Sequence, residues 1–503
     1  MKSLSSHTRP AYARISSVQR MLSSLLHPLA LLAIGLVATM GGCSTNLATG
    51  ERRLNFTSEA QEIAMGKQAD QEISASLGLY PDETLQRYVH QLGTKLASTS
   101  ERPNLPWTFR VVDDPVVNAF AVPGGFIYVT RGILAHLNSE AELAGVMGHE
   151  IGHVTAQHSV HQMATSQLAQ LGLGLGTALI PEIQPYADLA GTGLGLLFLK
   201  FSRDDENQAD ELGVRYMTRT GSDPRQLGAV MGMLDRLSQE GGTGRAPEWL
   251  ATHPSPGNRR EHIAEIISTI SPAPAGGTIN RESYLKQIDG MMFGLNPREG
   301  FFKGNTFYQP DLKFRFDFPA GWNLMNQKQA VVGVSPKEDA IVVIAFSSKS
   351  SSAEAAREFF SQEGLTVLRT GSTSIHGFRT SSGSFTAQTE QGVVQGTVAF
   401  VEYDGRVYQL LGYTSQAGWG TYEQGMTRAI GSFDRLTDAG MLSMQPQRLK
   451  IVTIAKAMSL AEFHRQYPSG VSLEALALVN QVEQNGQLRA GQQVKRVVGS
   501  AVQ

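Results

Sequence analysis

The HEIGH segment at residues 149–153 restricts the fold of this chain more than any other feature. Histidines four residues apart lie on one face of an α-helix, so the side chains of His149 and His153 can reach the same metal ion. Glu150, next to the first histidine, is placed to take a proton from water at that ion. The segment therefore predicts a helical zinc site with His149 and His153 as ligands and Glu150 as the catalytic base.

The residues around this segment support a helix from Ser139 to about His161. Ser139 stands three residues before Glu142, the spacing of a capping box at a helix N-terminus. Three glycines at spacings of three and four residues follow: Gly145, Gly148 and Gly152. Such a stripe lowers helix propensity but leaves a flat surface, so we expect another backbone to pack closely against it.

The composition limits the ligands that a metal site can use. The 503 residues include one cysteine, Cys43. A single thiol excludes an intrachain disulfide framework, a cysteine-rich zinc knuckle and an iron–sulfur cluster, so a metal must be held by His, Asp or Glu. The formal net charge of −2 gives no reason to expect a nucleic-acid partner.

A third ligand is expected because catalytic zinc takes three protein groups and keeps one position for water. The best candidate is Glu206, in the acidic segment at residues 202–210. Asp210 lies one helical turn further on and can accept a hydrogen bond from a ligand imidazole, which fixes the tautomer of that ring. The alternative is a solvated acidic helix face, but the HEIGH segment favours the ligand interpretation.

The other histidines compete for roles at this site. His158 is five residues beyond His153, about 140° around an unbroken helix, which makes it a poor ligand. We therefore expect His158 and His161 to be mainly surface residues. His253 is followed by Pro254 in a loop stiffened by proline. It could be a fourth ligand in a resting state, a donor to the tetrahedral intermediate, or a structural loop histidine.

The N-terminal segment has the pattern of an export signal. Residues 1–42 contain basic but no acidic residues, with an apolar run at 25–37 that is shorter than the about 20 residues of a membrane span. Small residues then precede Cys43, and the segment that they form with this cysteine resembles a bacterial lipobox. This predicts a lipoprotein signal peptide over 1–42, lipidation of Cys43 in the outer membrane, and a tether over 43–56. The alternative is an ordinary signal peptide with an incidental cysteine.

Four motifs in order carry a resemblance to a known family. They are HEIGH, SRDDENQADELG at 202–213, NAFAVPGG at 118–125 and THPSPGNR at 252–259. Over residues 58–270 the chain resembles the HtpX/CAAX-prenyl-protease family of gluzincins, and more closely its soluble periplasmic branch, the BepA-like and LoiP-like proteases.

The resemblance implies roles for several residues. It implies one Zn²⁺ per chain with ligands His149, His153 and Glu206, catalytic Glu150, and Asp210 supporting a ligand. In the BepA-like branch the histidine at the position of His253 can close reversibly on the metal and take part in activity. The strand formed by Asn118, Ala119, Phe120 and Ala121 is expected to pair with extended substrate backbone.

These observations predict an α+β fold with several units. A mostly helical gluzincin protease domain with a small β-sheet is expected over 57–270, then a linker over 271–304. Residues 305–437 weakly resemble a PsbP-like α/β domain, and 446–499 resemble a small LysM-like βααβ module that would bind peptidoglycan. The glycine-rich apolar residues 166–199 are open to three interpretations, namely a lid or plug over the cleft, a surface touching lipid, or an amphipathic helical hairpin.

The expected function is a zinc endopeptidase at the periplasmic face of the outer membrane that cleaves misfolded or stalled envelope polypeptides. Two alternatives remain open. One is a chaperone-like protein or scaffold with latent proteolysis. The other is a cell-wall-binding factor whose main activity lies in the LysM-like module.

Overall fold

The computed structural model describes residues 43–170, 199–240, 248–253, 259–270, 276–389 and 392–499. The predicted signal peptide at 1–42 lies outside these residues, as does most of the glycine-rich segment, from 171 to 198. Helices and sheets both contribute, in agreement with the predicted α+β class. None of the described helices combines the length and apolarity needed to span a membrane.

The first part of the chain is mostly helical. Its elements are β1 (Cys43–Thr45), β2 (Arg52–Leu54), α1 (Glu59–Leu77), α2 (Glu83–Ala97), β3 (Thr108–Val112), β4 (Ala119–Val122), β5 (Phe126–Thr130), α3 (Arg131–His136), α4 (Glu140–Thr155), α5 (His158–Gln170), α6 (Arg203–Thr220), α7 (Arg225–Glu240), α8 (Glu248–Thr252), α9 (Arg259–Thr269) and α10 (Arg281–Ile288). The predicted start of the HEIGH helix is confirmed, because the Ser139 hydroxyl accepts a hydrogen bond from the Glu142 N–H. The Glu142 carboxylate accepts from the N–H of Asn138 rather than Ser139.

A small sheet lies beside the HEIGH helix. Its strand order is β3-β5-β4, with β3 parallel and β4 antiparallel to β5. Within the described sheet, β4 is therefore an edge strand, and it packs against α4. This arrangement brings the free edge of residues 119–122 next to the helix that carries the HEIGH segment.

The glycine stripe allows the close helix packing that the sequence predicts. A methyl group built at Gly148 would lie 3.3 Å from the Cα of Gly213 in α6. One built at Gly152 would lie 3.0 Å from the Ala209 carbonyl oxygen, tighter than ordinary contact. Because no side chain separates α4 from α6, the acidic residues of α6 can reach the histidines of α4.

The predicted single helix from Ser139 to His161 is wrong. The chain forms α4 and α5 instead, and Gln157 between them has a φ of 57°, in the left-handed region. The break is held by distant residues. The Asn46 amide donates to the Thr155 carbonyl at 2.9 Å, and the Gln157 amide donates to the Glu62 carboxylate. Since these partners come from elsewhere in the chain, the local sequence does not indicate the break.

The second part of the chain is dominated by sheets. Its elements are β6 (Met292–Phe293), a 3₁₀ turn (Pro297–Glu299), β7 (Phe301–Lys303), β8 (Thr306–Gln309), β9 (Phe314–Asp317), β10 (Asn323–Asn326), β11 (Ala330–Val334), β12 (Ala340–Ser347), α11 (Ser352–Phe360), β13 (Leu365–Ile375), β14 (Phe378–Thr389), β15 (Gly392–Tyr403), β16 (Arg406–Ser415), α12 (Trp419–Gly431), β17 (Asp434–Arg435), α13 (Ala439–Leu442), β18 (Gln447–Thr453), β19 (Met458–Ser459), α14 (Leu460–Gln466), α15 (Leu473–Asn480), β20 (Gln487–Leu488) and β21 (Gln493–Val498). Strands β10 to β16 form a seven-stranded antiparallel sheet of order β10-β11-β12-β16-β15-β14-β13. Alternate residues Phe314, Phe316 and Phe318 are buried beside it, as their period of two predicts.

Residues 446–499 contain β18, β19, α14, α15, β20 and β21 in that order, and they pack against the helical part of the chain. Leu449, Val479 and Val497 belong to the same apolar core as the helices around the HEIGH segment. The Nζ atom of Lys495, which is fully buried, donates to the carbonyl oxygens of Ala135 at 2.7 Å and Leu137 at 2.6 Å. The C-terminal unit is therefore joined to α3 and the residue that follows it, just before the HEIGH helix.

The described residues of two segments that the sequence predicts to be a tether and a linker form helices and strands that pack against the rest of the chain. Within 271–304, helix α10 buries Tyr284, Leu285 and Ile288, and β6 pairs with β18. Within 43–56, β1 and β2 form a hairpin whose Arg53 side chain reaches Asp205. Both segments bury side chains against the helical core, which a free connector would not do.

Candidate metal centre

Four side chains from three parts of the chain converge at one buried point. His149 and His153 come from α4, Glu206 from α6, and His253 from the residue after α8. One ligand atom from each lies within 4.8 Å of the others. The four residues are between 0% and 2% exposed. The structure thus brings together the predicted ligands and adds His253 to them.

The distances between these atoms fit a tetrahedral metal ion. His149 Nε2 lies 3.0 Å from His153 Nε2 and 3.4 Å from His253 Nδ1, and His253 Nδ1 lies 2.9 Å from Glu206 Oε1. Zinc bonds of about 2.0 to 2.1 Å place tetrahedral ligand atoms about 3.3 Å apart. Oε2 of the buried Glu206 accepts no hydrogen bond, although Nη1 of Arg259 lies 2.9 Å from it.

Asp210 lies where the sequence predicts, behind a ligand histidine. Its Oδ1 is 3.0 Å from His149 Nδ1, so Nδ1 carries the proton and Nε2 presents a lone pair to the cluster. Arg259 also contacts this carboxylate, with Nη2 at 2.6 Å. Its Nη1 lies 2.9 Å from Glu206 Oε2, close enough for an ion pair although the angle is not that of a hydrogen bond. Arg259 thereby links both carboxylates of α6 to α9.

The prediction that His158 is a surface residue is wrong. Its side chain is fully buried, and its Nδ1 lies 2.9 Å from His153 Nδ1. The estimate of 140° assumed an unbroken helix, whereas the break at Gln157 turns α5 so that His158 faces back toward the cluster. His161, one turn further along, is only partly buried.

Glu150 lies under a cover formed by α8 and the residue after it. The indole N–H of Trp249 donates to Glu150 Oε1 at 3.4 Å, and His253 Nε2 lies 3.7 Å from the same oxygen. The Trp249 and His253 rings stack with their centroids 4.7 Å apart. Glu150 is only 1% exposed, so in this conformation its carboxylate is shielded from bulk solvent.

Burial and neighbouring charges shift the pKa values within the cluster. Burial raises the pKa of Asp210, but the Arg259 guanidinium and the His149 imidazole outweigh it and lower the value to about 2. Burial lowers the pKa of His153 well below its usual value, and the adjacent histidines add to this effect. A neutral imidazole and an ionised carboxylate are the forms that bind metal ions.

The remaining predicted residues are placed as follows. Asn118 is buried just before β4, and its side-chain oxygen has no hydrogen-bond partner. Ala119, Phe120 and Ala121 lie in β4, opposite Val129, Tyr128 and Ile127 of β5. Cys43 is the first residue of β1, more than 100 residues before the first residue of the cluster, and its backbone lies opposite Leu54 of β2. Among these residues, only the edge strand adjoins the helix of the metal centre.

Sequence reasoning assigned no role to three residues that shape the site: Trp249, Arg259 and His158. Trp249 and His253 are four residues apart, a spacing that could have suggested a shared face. Arg259 belongs to the THPSPGNR motif, and its charge could have been matched to the acidic α6 segment. No local signal pointed to His158, because its orientation depends on the helix break.

The chain is similar to known metallopeptidases over the region that holds this centre. Residues 83–267 match the family described as Peptidase family M48. The chain is 31% identical over 235 residues to the beta-barrel assembly-enhancing protease of Yersinia pestis, covering 45% of this chain and 47% of that protein. It is 32% identical over 210 residues to the protease of that name in Escherichia coli strain K12, covering 40% and 42%. It is also 32% identical over 230 residues to the mitochondrial metalloendopeptidase OMA1 of Schizosaccharomyces pombe, covering 44% and 65%.

The matched region therefore spans about half the length of the bacterial relatives. Among solved structures, PsbP from Synechocystis sp. PCC 6803 is similar at 14% identity and a TM-score of 0.23, covering 26% of this chain and 91% of that one. A TM-score this low carries no argument, so the PsbP-like assignment of residues 305–437 stays a prediction.

Proposed function

We propose that this protein is a zinc-dependent endopeptidase of the bacterial cell envelope, since residues 83–267 match peptidase family M48. The observation that carries the proposal is the convergence of His149, His153 and Glu206 at one buried point beside Glu150. Two neutral imidazoles and a carboxylate are a usual ligand set of catalytic zinc in peptidases.

Each residue of the centre has a chemical role in peptide hydrolysis. His149, His153 and Glu206 would hold one zinc ion, while Asp210 keeps the ring of His149 oriented. When bound, zinc acts as a Lewis acid and lowers the pKa of water in its open position to about 7. Glu150 is the general base, accepting the proton of the attacking water and passing it to the leaving amine.

His253 supports a closed resting state of this enzyme. Its Nδ1 stands among the ligand atoms, so a zinc ion with four protein ligands would keep no open position for water. Its ring also lies with Trp249 over Glu150. Hydrolysis would then require His253 to move away, after which it could donate to the tetrahedral intermediate.

The substrate would bind as an extended chain. Strand β4 is the edge of the described sheet and packs against α4, so a peptide pairing with residues 119–122 would run past the metal centre. Unfolded or misassembled envelope polypeptides offer such extended segments. Two of the proteins that this chain resembles in sequence are named beta-barrel assembly-enhancing proteases. Their name supports outer-membrane proteins as a substrate class.

The proposed location is the periplasmic face of the outer membrane. The export-signal pattern of residues 1–42 and the lipobox-like segment before Cys43 support a lipid anchor at that residue. The LysM-like order of residues 446–499 supports peptidoglycan as a further partner. Neither the anchor nor the glycan contact is needed for the chemistry of the metal centre.

A chaperone-like function with latent proteolysis is the second candidate. The observation that favours it is the closed conformation, in which Glu150 is 1% exposed beneath His253 and Trp249. A protein of this kind would bind unfolded chains at β4 without cleaving them. It would suppress aggregation of an unfolded client equally well with and without the Glu150 carboxylate.

The deciding experiment uses Glu150→Gln in the full-length protein. We expect this variant to retain one zinc ion per chain but to lose casein hydrolysis, because the amide cannot accept the proton of water. The matched control is Glu211→Gln, which removes a carboxylate that is 58% exposed and lies on the surface of α6. Normal cleavage by Glu150→Gln would refute the mechanism. Aggregation suppression by a wild-type protein that never cleaves would favour the chaperone-like candidate.

A further inference from the structure

We propose that His158 is a positioning residue for the metal ligand His153, held in turn by Arg53 of the N-terminal hairpin. The proposal rests on the proposed function, because it concerns the same metal centre. The observation that carries it is the 2.9 Å separation of His158 Nδ1 and His153 Nδ1, between two rings that are each at most 2% exposed. Nothing in the HEIGH pattern itself provides His153 with such a partner.

The protons of this pair can be assigned from the ligand role of His153. Its Nε2 faces His149 Nε2 and Glu206, at 3.0 and 3.5 Å, and must present a lone pair to a metal ion. A neutral imidazole that binds through Nε2 carries its proton on Nδ1. Among the described residues the partner of that proton is His158 Nδ1, which must therefore be the acceptor in a neutral ring protonated at Nε2.

The other side of His158 meets this requirement. Its Nε2 lies 3.2 Å from Gln208 Oε1 and 3.5 Å from Asp205 Oδ1, both acceptors on α6. The N–H at Nε2 of His158 therefore has an acceptor. Because the acceptors on α6 favour the tautomer of His158 that is protonated at Nε2, they leave its Nδ1 free to accept the proton of His153. Each N–H in the chain from His153 through His158 to α6 donates to a lone pair, so no ring needs to be charged.

The hairpin completes this chain of contacts. Arg53 Nη1 lies 2.6 Å from Asp205 Oδ1, and Arg53 Nη2 lies 3.0 Å from Gln208 Oε1. One guanidinium thus holds both acceptors of His158 in place, with its side chain 16% exposed. The sequence predicts a tether over 43–56, whereas the hairpin in this segment contacts Asp205 and Gln208, which in turn contact His158.

The two ligand histidines of α4 are therefore supported differently. His149 donates directly to the Asp210 carboxylate, which Arg259 also contacts. His153 donates to a neutral imidazole, and the carboxylate lies one step beyond it. Removing the acceptor from His158 should thus leave a buried N–H on His153 unpaired and free its ring to rotate, which weakens metal binding.

The test measures zinc affinity by competition with a chromophoric chelator, using full-length protein. We compare His158→Phe, which has no acceptor, with His158→Asn, whose amide oxygen stands at the same number of bonds from Cβ as Nδ1 and can replace it, and with Arg53→Met. The control is His90→Phe, at an exposed histidine of α2. The visible spectrum of the cobalt-substituted protein reports ligand geometry, and thermal unfolding of the zinc-free protein reports folding. Should His158→Phe fail to fold, His158→Leu, which also lacks an acceptor and is smaller than phenylalanine, takes its place.

We expect His158→Phe to bind zinc about 10- to 100-fold more weakly, with a changed cobalt spectrum. We expect His158→Asn to recover most of the affinity, Arg53→Met to lose less than His158→Phe, and the control to match the wild type. Wild-type affinity together with an unchanged cobalt spectrum in His158→Phe would overturn the proposal, and so would equal losses in His158→Phe and His158→Asn. Tight zinc binding by a wild-type protein that cleaves no peptide would contradict the proposed function alone, because the affinity comparison does not depend on cleavage.

Discussion

The Nδ1 atom of His253 lies 2.9 Å from Oε1 of Glu206, inside the set of atoms that would hold the metal ion. Since both residues are buried, this contact closes the centre to water. The chain segment that carries His253 also covers Glu150 through Trp249. Access to the centre therefore depends on the position of one short helix and the residue after it.

We expect His253→Ala to raise peptidase activity. A closed form about nine times more populated than the open form would give an increase of about tenfold when the closing side chain is removed. The measurement is the initial rate of casein or peptide cleavage, with His376→Ala, a half-exposed histidine remote in the chain, as the control. Unchanged kinetics together with an unchanged cobalt spectrum would remove His253 from the centre.

We expect Gly152→Val to weaken both folding and zinc binding. The valine would press on the Ala209 carbonyl and push α6, with Glu206, away from α4. Overpacking of this kind costs about 1 to 3 kcal/mol in the free energy of unfolding. Gly145→Val is the matched control, because its side chain would meet Leu227 of α7, which carries no ligand. Equal zinc affinity in the two variants would contradict this account of the helix contact.

We expect stability to fall as the pH is lowered from 6.5 to about 4, in part because of His136. Burial lowers the pKa of this imidazole to about 4, and its Nδ1–H donates to the Gly132 carbonyl at 2.8 Å. In this pH range the unfolded chain binds a proton at His136 that the folded chain does not, so acid favours unfolding.

The contribution of His136 is at most about 1.4 kcal/mol per pH unit. The measurement is the free energy of unfolding in urea at several pH values, for the wild type and for His136→Gln. The variant should show a shallower decline between pH 6.5 and 4 and the same slope above pH 7. Parallel curves throughout would show that His136 does not contribute.

We expect Lys495→Met to destabilise the chain by about 1 to 3 kcal/mol, because it leaves the Ala135 and Leu137 carbonyl oxygens without their donor. Burial lowers the pKa of this amine well below its usual value. Lys450→Met is the control, since that side chain is 55% exposed in the same unit. Chemical unfolding monitored by circular dichroism measures the difference. Equal stability of the two variants would mean that the buried amine does not anchor the C-terminal unit.

The features that the sequence predicts correctly depend on residues that are at most one helical turn apart in the chain. The HEIGH spacing, the Glu206–Asp210 spacing and the Ser139 cap follow from the geometry of one helix turn. The glycine stripe is also local, and it correctly indicated that a second helix would approach α4. From these patterns the predicted ligands and the support of His149 by Asp210 could be inferred before any tertiary contact was known.

The orientation of His158 was decided only by the tertiary structure. A regular helix would have turned it about 140° away from His153, but the break at Gln157 reverses this. The break depends on hydrogen bonds from Asn46 and to Glu62, residues far away in the sequence. Periodicity describes a chain that continues regularly, whereas a backbone held in the left-handed region by distant partners leaves no trace in the local pattern.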